Sequence, residues 1–210
     1  MTAPHPTPHP TPHPAAGSVR EAKRTETREA IRQAAVVLFA EHGFDQVTVT
    51  DITRASGVAR STFFRYFPDK AEVLFEDDSA SHLLLAKAVA GAARAAEEPL
   101  GDSFGAVMRV ARAAILVLAD SKAIQAVRYP VREQLIAETP QLQACSLVKE
   151  RGYTDALDAA LVEQGAAPLV ARQAAHVATA CYDAGYTQAF SSPETLPETV
   201  AAAFERLFAL

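Results

Sequence analysis

The stretch GVARSTFFRYFPDK, Gly57 to Lys70, holds three phenylalanines and a tyrosine within five positions, with Arg60 and Arg65 among them. On a helix from Arg60 to Phe67, Phe63 and Phe67 lie four residues apart and share a face. Ser61, Thr62 and Arg65 point the opposite way, and Phe64 and Tyr66 fall on the flanks. One face therefore fastens the helix to an apolar core. The rest presents hydroxyls, guanidinium groups and ring edges in a narrow strip. Arginine donors match the acceptors on base edges in a DNA major groove, and small hydroxyl residues permit close approach. Tyr66, Thr62 and Lys70 are the expected phosphate contacts, which set register.

So short a helix needs others to position it. A first helix is expected from Thr25 to Glu41, with Ile31, Ala34, Ala35, Leu38 and Phe39 as its apolar stripe and Gly43 as its stop. Arg24, Arg28 and Arg32 line another face, read as solvated. Thr48 is a natural N-cap for a second helix ending at Ser56-Gly57, with Val49, Ile52 and Ala55 facing inward. The order is helix, helix, glycine turn, helix within about 45 residues, the pattern of a helix-turn-helix unit.

Residues 25–75, TETREAIRQAAVVLFAEHGFDQVTVTDITRASGVARSTFFRYFPDKAEVLF, closely resemble the DNA-binding domain of the TetR (tetracycline repressor) family. The resemblance covers the whole three-helix unit and its skeleton F..VTV.DI....GV....F.RYF..K. It implies DNA contact at Thr48, Thr50, Arg60, Ser61, Thr62, Phe64, Arg65, Tyr66 and Lys70. Thr53 and Ser56 stand where the family commonly has alanine. Ala59 replaces a frequent serine cap, at a cost of about 1 kcal/mol of local helix stability.

The remainder reads as helix punctuated by proline. Expected spans are 70–95, 102–119, 122–138, 140–164, 167–191 and 196–209, with Pro130 kinking or dividing the third. The fold class is all-α: a disordered His/Pro/Thr tail over 1–19, a helix-turn-helix domain over 20–69, and a helical domain over 70–210. The resemblance implies that the helical domain binds an effector and pairs with a second copy through helices 167–191 and 196–209. The small-residue stripe Val170, Ala174, Val177, Ala178, Cys181 and Gly185 permits close helix approach. A dimer also follows from DNA geometry, since one short helix reads only a few base pairs. Arg132 to Leu161 resembles the sensor region of the mycofactocin-system regulator group, which implies an acyl-CoA-like effector. Pocket candidates are His82, Phe104, Met108, Arg112, Tyr129, Arg132, Tyr153 and His176, with Glu133, Arg151 and Tyr182 as further polar groups, in a mostly apolar pocket. Glu150 and Arg151 read as surface.

Charge supports the division. The net charge is −5, yet Ser18 to Lys70 carries a balance of +2 and the chain from Ala71 onward −7. A basic module sits on an acidic body. The repeat PHPTPHPTPHP at 4–14 is expected to be extended and solvated. Two distant cysteines without metal-ligand spacing predict no zinc site, no cofactor is expected, and the chain reads as cytoplasmic. No apolar run approaches the ~20 residues of a membrane span. There is no nucleophile elbow, HExxH or phosphate-binding glycine loop, which argues against an enzyme.

Overall fold

The computed structural model of the chain describes residues 16–75, 78–128 and 130–209. The described elements are α1 (Ala16–His42), α2 (Val49–Ser56), α3 (Arg60–Tyr66), a 3-10 turn (Glu72–Leu74), α4 (Asp78–Ala95), α5 (Phe104–Arg128), α6 (Pro130–Glu138), α7 (Pro140–Glu163), α8 (Pro168–Ala189), a second 3-10 turn (Pro193–Thr195) and α9 (Leu196–Phe208). The expected all-α class is what the chain adopts.

Three boundaries differ from expectation. First, α1 begins at Ala16, so residues 16–19 of the expected tail are helical. The strong helix formers Arg20, Glu21, Ala22, Lys23 and Arg24 follow directly, and no proline in 16–19 stops the helix from extending back over those residues. The His-Pro repeat lies outside the described residues. Second, the expected break near 119–122 is absent, because Asp120-Ser121-Lys122 contains no breaker and α5 runs through it. The division comes instead at Pro130, the first residue of α6, where a missing N–H costs nothing. Third, residues 70–75 are not continuous helix. The Asp69 carboxylate accepts from the backbone N–H groups of Ala71 (2.8 Å) and Glu72 (3.0 Å) and starts a separate turn.

Two apolar clusters hold the molecule. The first joins Ile31, Ala35 and Phe39 of α1 to Ile52 of α2 and to Phe63 and Phe67, then takes in Val73, Leu74 and Phe75 of the turn. It continues into Leu135 and Ile136 of α6 and Leu142 of α7. The core under the short helices is thus completed by residues far along the chain. The second cluster lies among α4, α5, α7, α8 and α9, around Met108, Ile115, Leu118, Leu157 and Phe204.

The small-residue stripe of α8 is used inside this chain. Ala174, Ala178 and Gly185 are buried, and Gly185 meets α9 so closely that a Cβ would stand 2.7 Å from the Val200 Cα. The Thr199 hydroxyl donates to the Gly185 carbonyl at 2.9 Å and fixes the crossing. Gly185 therefore serves α8–α9 packing, and Ala174 and Ala178 face the core of this chain, not the outward side of α8.

Candidate nucleic-acid interface and effector cavity

The helix-turn-helix unit is built by local chemistry. The Thr48 side chain accepts from the Asp51 N–H (3.2 Å), while the Asp51 carboxylate accepts from the Thr48 N–H (3.0 Å). This capping box starts α2 and holds the Asp51 carboxyl below its ordinary range, chiefly through the Thr48 hydroxyl. Gly57 ends α2 with φ +69°, a left-handed conformation that glycine adopts without strain. The inner face of α2 is Ile52 with Thr53, not Ala55, which is exposed. The Thr53 hydroxyl is satisfied by donating to the Thr50 carbonyl (3.0 Å).

On α3 the expected core anchors are inside, but Thr62, expected outward, and Phe64, expected on a flank, exchange places. Phe63 and Phe67 are buried, with ring centroids 5.7 Å apart. Arg60, Ser61, Phe64 and Arg65 are exposed, and Thr62 and Tyr66 are half-buried on the flanks. No side-chain cap stands at Ala59. The Arg60 guanidinium lies over the Phe64 ring (5.3 Å) and donates to the Thr50 hydroxyl (3.3 Å), tying α3 to α2. Arg65 lies over the Tyr66 ring (5.1 Å). These contacts limit how the two guanidinium groups can swing while leaving them at the surface.

Lys70 occupies a different setting. Its ammonium donates to the carbonyls of Phe44 (2.7 Å) and Val47 (2.9 Å), approaches that of Asp45 (3.4 Å), and stands 4.3 Å from the Phe44 ring centroid. All three ammonium protons thus serve the loop between α1 and α2. Replacing Lys70 by Met is expected to lower stability by about 1–2 kcal/mol, because those carbonyls lose their donor. Urea unfolding followed by circular dichroism reads the change. A difference below the error of the fit would show that water replaces the ammonium at no cost.

Arg32, read as part of a solvated face, is also engaged. Its Nε donates to the Val73 carbonyl (3.2 Å) and its Nη2 to the Phe75 carbonyl (3.1 Å). Arg28 lies over the Phe67 ring (5.4 Å). Arg28 and Arg32 therefore bind the unit to its own core and to the turn after it, whereas Arg24 is exposed.

On the far side of that turn lies a narrow cavity of about 50 Å³. Its walls include Phe75, Lys122, Arg132, Glu133, Lys149, Glu150, Tyr153, Tyr182, Tyr186 and Phe190. Arg132 Nε donates to the Leu74 carbonyl (2.6 Å), and its guanidinium pairs with Glu133, whose other oxygen accepts from the Tyr186 hydroxyl. Lys149 pairs with Glu72 at 2.9 Å. The Phe75 ring has both cations at 5.3 Å from its centroid. Burial pushes the Glu150 carboxyl up from its ordinary value, opposed in part by a hydrogen bond with Ser146. Burial likewise holds the Tyr182 hydroxyl well above the usual phenol range, so it stays neutral.

Of the expected pocket residues, Arg132 and Tyr153 line this cavity, as do Glu133 and Tyr182. His82 stands behind Tyr153 with ring centroids 6.1 Å apart, and its Nε2 has no hydrogen-bond partner among the described residues. The others fall elsewhere. Met108 is wholly buried in the second apolar cluster, and Phe104 is exposed at the start of α5. Arg112 pairs with Glu205 of α9 at 2.6 Å. His176 is exposed and borders a separate, open cleft. Tyr129 lies outside the described residues. Phe75, Lys122, Lys149, Glu150 and Tyr186 were not anticipated. Only their place on apolar-periodic helices hinted at burial, and for Phe75 there was no signal at all. Glu150 lines the cavity, contrary to its reading as surface, whereas Arg151 is exposed.

No described helix is long and apolar enough to cross a membrane, and the described residues contain no cluster of three or more potential metal ligands.

Comparison with known proteins agrees with this arrangement. Residues 31–76 match the family described as bacterial regulatory proteins, tetR family. The chain is 33% identical over 138 residues to MftR of Mycobacterium tuberculosis, named as a mycofactocin biosynthesis transcriptional regulator; the match covers 64% of each chain. It is 39% identical over 57 residues to LfrR of Mycolicibacterium smegmatis, named as an HTH-type transcriptional repressor, covering 27% of this chain and 29% of that one. The match to these relatives thus spans less than two thirds of their length. Among solved structures, the SmeT–triclosan complex shares the fold at TM-score 0.53 and 20% identity, covering 88% of this chain and 90% of that one. Residues 31–76 thus carry a domain of the tetR family of bacterial regulatory proteins, the chain is similar to MftR over 64% of its length, and its fold is that of SmeT.

Proposed function

We propose that the protein is a transcriptional repressor that binds a near-palindromic operator as a homodimer and is released by a small-molecule effector. The observation that carries the reading is α3, where buried Phe63 and Phe67 turn Arg60, Ser61, Phe64 and Arg65 outward in one strip. Repression, in preference to activation, follows LfrR and the other relatives named as repressors. Residues 20–69 act as the DNA-binding unit and 70–210 as the effector-binding and dimerising part. Thr48, Thr50, Thr62, Tyr66 and Lys70 complete the DNA surface, with Lys70 acting chiefly by shaping the loop it holds. A second copy pairs through α8 and α9, whose outward surfaces carry Leu169 at 70% and Leu207 at 38% exposure. The partners are double-stranded DNA, a second copy and the effector, with the protein working in the cytoplasm. An acyl-CoA-like effector is the finer reading, supported by the aromatic walls of the cavity, which would have to open to admit an acyl chain. An effector shifts the equilibrium only by binding the DNA-competent and released forms with different affinity.

The test is titration against labelled DNA from upstream of the protein's own gene, beside scrambled DNA, at two salt concentrations. Wild type is expected to prefer the upstream DNA, with affinity falling as salt rises. Arg65→Ala is expected to lose about tenfold for that DNA while binding scrambled DNA almost unchanged, the behaviour of a base-reading arginine. Equal loss on both DNAs would make Arg65 a phosphate contact. If random-sequence selection yields no preferred DNA for wild type, the repressor reading falls.

A further inference from the structure

The turn Glu72–Leu74 and its neighbour Phe75 are gripped from two sides. Arg32 of α1 holds the Val73 and Phe75 carbonyls. Arg132 of α6 holds the Leu74 carbonyl, and Lys149 of α7 holds the Glu72 carboxylate. The Phe75 ring is the lining group of the cavity that comes from this turn, and both cations face it.

The Lys149–Glu72 pair is unequal. The Lys149 side chain is 7% exposed and the Glu72 side chain 28%. A buried ammonium must keep an anionic partner, whereas a half-exposed carboxylate can return to water. An incoming anion could therefore replace Glu72 with little electrostatic loss at Lys149. The reverse exchange, with a cation displacing Lys149, would strand a charge in the interior. Arg132 is already neutralised by Glu133, and Tyr186 holds that carboxylate in place. The replaceable partner of the cavity-lining Lys149 is thus Glu72, which lies outside the lining itself, and the charge that takes its place is negative.

Size adds a second constraint. About 50 Å³ admits little more than water. Any ligand with an apolar body must displace a lining side chain. Phe75 is the large ring whose departure moves the turn and not a sensor helix.

We propose that Lys149, with Arg132 beside it, is the subsite for the anionic headgroup of an amphipathic ligand, which replaces Glu72 and takes the place of the Phe75 ring. The inference rests on the effector reading above and names the chemistry of the effector's polar end and the contact it breaks. Loss of the Lys149–Glu72 pair and of the Phe75 stack frees the turn from α7, leaving the Arg132–Leu74 hydrogen bond as its polar tie to α6. Because Arg32 keeps hold of the same turn, the displacement is delivered to α1 and hence to α2 and α3.

Decanoate, decanoyl-CoA and 1-decanol are the probes, titrated by calorimetry without DNA. Operator affinity is measured in parallel. Wild type is expected to bind at least one of the two anions tenfold or more above decanol. Decanoate alone would identify a carboxylate headgroup, and decanoyl-CoA alone a phosphate-bearing one. Glu72→Gln and Lys149→Gln both break the ion pair, so both are expected to weaken operator binding without ligand. Their effects on the anion should be opposed. Glu72→Gln removes the competitor and should tighten it severalfold, while Lys149→Gln removes the subsite and should weaken it tenfold or more. Lys149→Arg should restore anion binding. A merely structural pair would shift ligand affinity in the same direction in both variants, and that result overturns the proposal. So would equal binding of decanol and the anions, or binding of none of the three. Calorimetry needs no DNA, so failure of wild type to bind any operator would strike the repressor reading and leave the subsite to be decided by these opposed shifts.

Discussion

Adding one methyl group at position 185 is expected to lower the melting temperature by about 10 °C. The Cβ that Gly185→Ala introduces would meet the Val200 Cγ2 at 2.6 Å and the Val200 backbone N and Cα at 2.7 Å. A side chain can rotate away, but backbone cannot, so α8 and α9 must separate. Overpacking of this kind costs about 1–3 kcal/mol, and a backbone clash belongs at the upper end. The Thr199–Gly185 hydrogen bond is lost in the same movement. For a chain of this length about 3 kcal/mol corresponds to the stated shift. Thermal unfolding of the variant by circular dichroism checks it. A shift under 2 °C would mean that the helices yield where the packing says they cannot. If the second copy docks on these helices, Gly185→Ala should also weaken dimerisation, measurable by sedimentation.

The second large effect is expected from Phe63→Ala. The ring is wholly buried, edge-on to Phe64 at 5.4 Å and beside Phe67. Truncating a buried phenylalanine costs about 3–5 kcal/mol. Here the loss falls on a seven-residue helix with no side-chain cap at Ala59. A helix that short has no stability of its own. Phe63→Ala should abolish specific DNA binding and lower the urea midpoint sharply. Phe64→Ala, at a ring that is 45% exposed, should leave stability within about 0.5 kcal/mol. If the two variants lose stability equally, the assignment of inward and outward faces on α3 is wrong.

Those faces were legible in the residues because everything that sets them is local. The spacing of Phe63 and Phe67, the Thr48 cap and the turn at Gly57 all act within a few positions. The helical content of the remainder was legible for the same reason, and Pro130 marked a real division. What could not be read is set by partners distant along the chain. Lys70 looks like a surface cation until its bonds to Phe44 and Val47, 26 and 23 residues away, are seen. Arg32 finds its carbonyls 41 and 43 residues on, and Lys149 meets Glu72 across 77. A charged residue on a helix carries no sign of whether its partner is water or a distant element. Phe104 stands exposed at the start of α5, and Met108 was misplaced for a related reason. An apolar stripe shows which side of a helix is buried, but not whether a cavity or another helix lies against it.

The apolar core beneath α1, α2 and α3 has a practical corollary for protein engineering. That core is finished by Leu135 and Ile136 of α6 and Leu142 of α7. The reading unit is therefore not a self-contained cartridge that can be cut at residue 70 and joined to a foreign sensor. A chimera would have to carry α6 and the first turn of α7 with it, or rebuild their three side chains on the new scaffold.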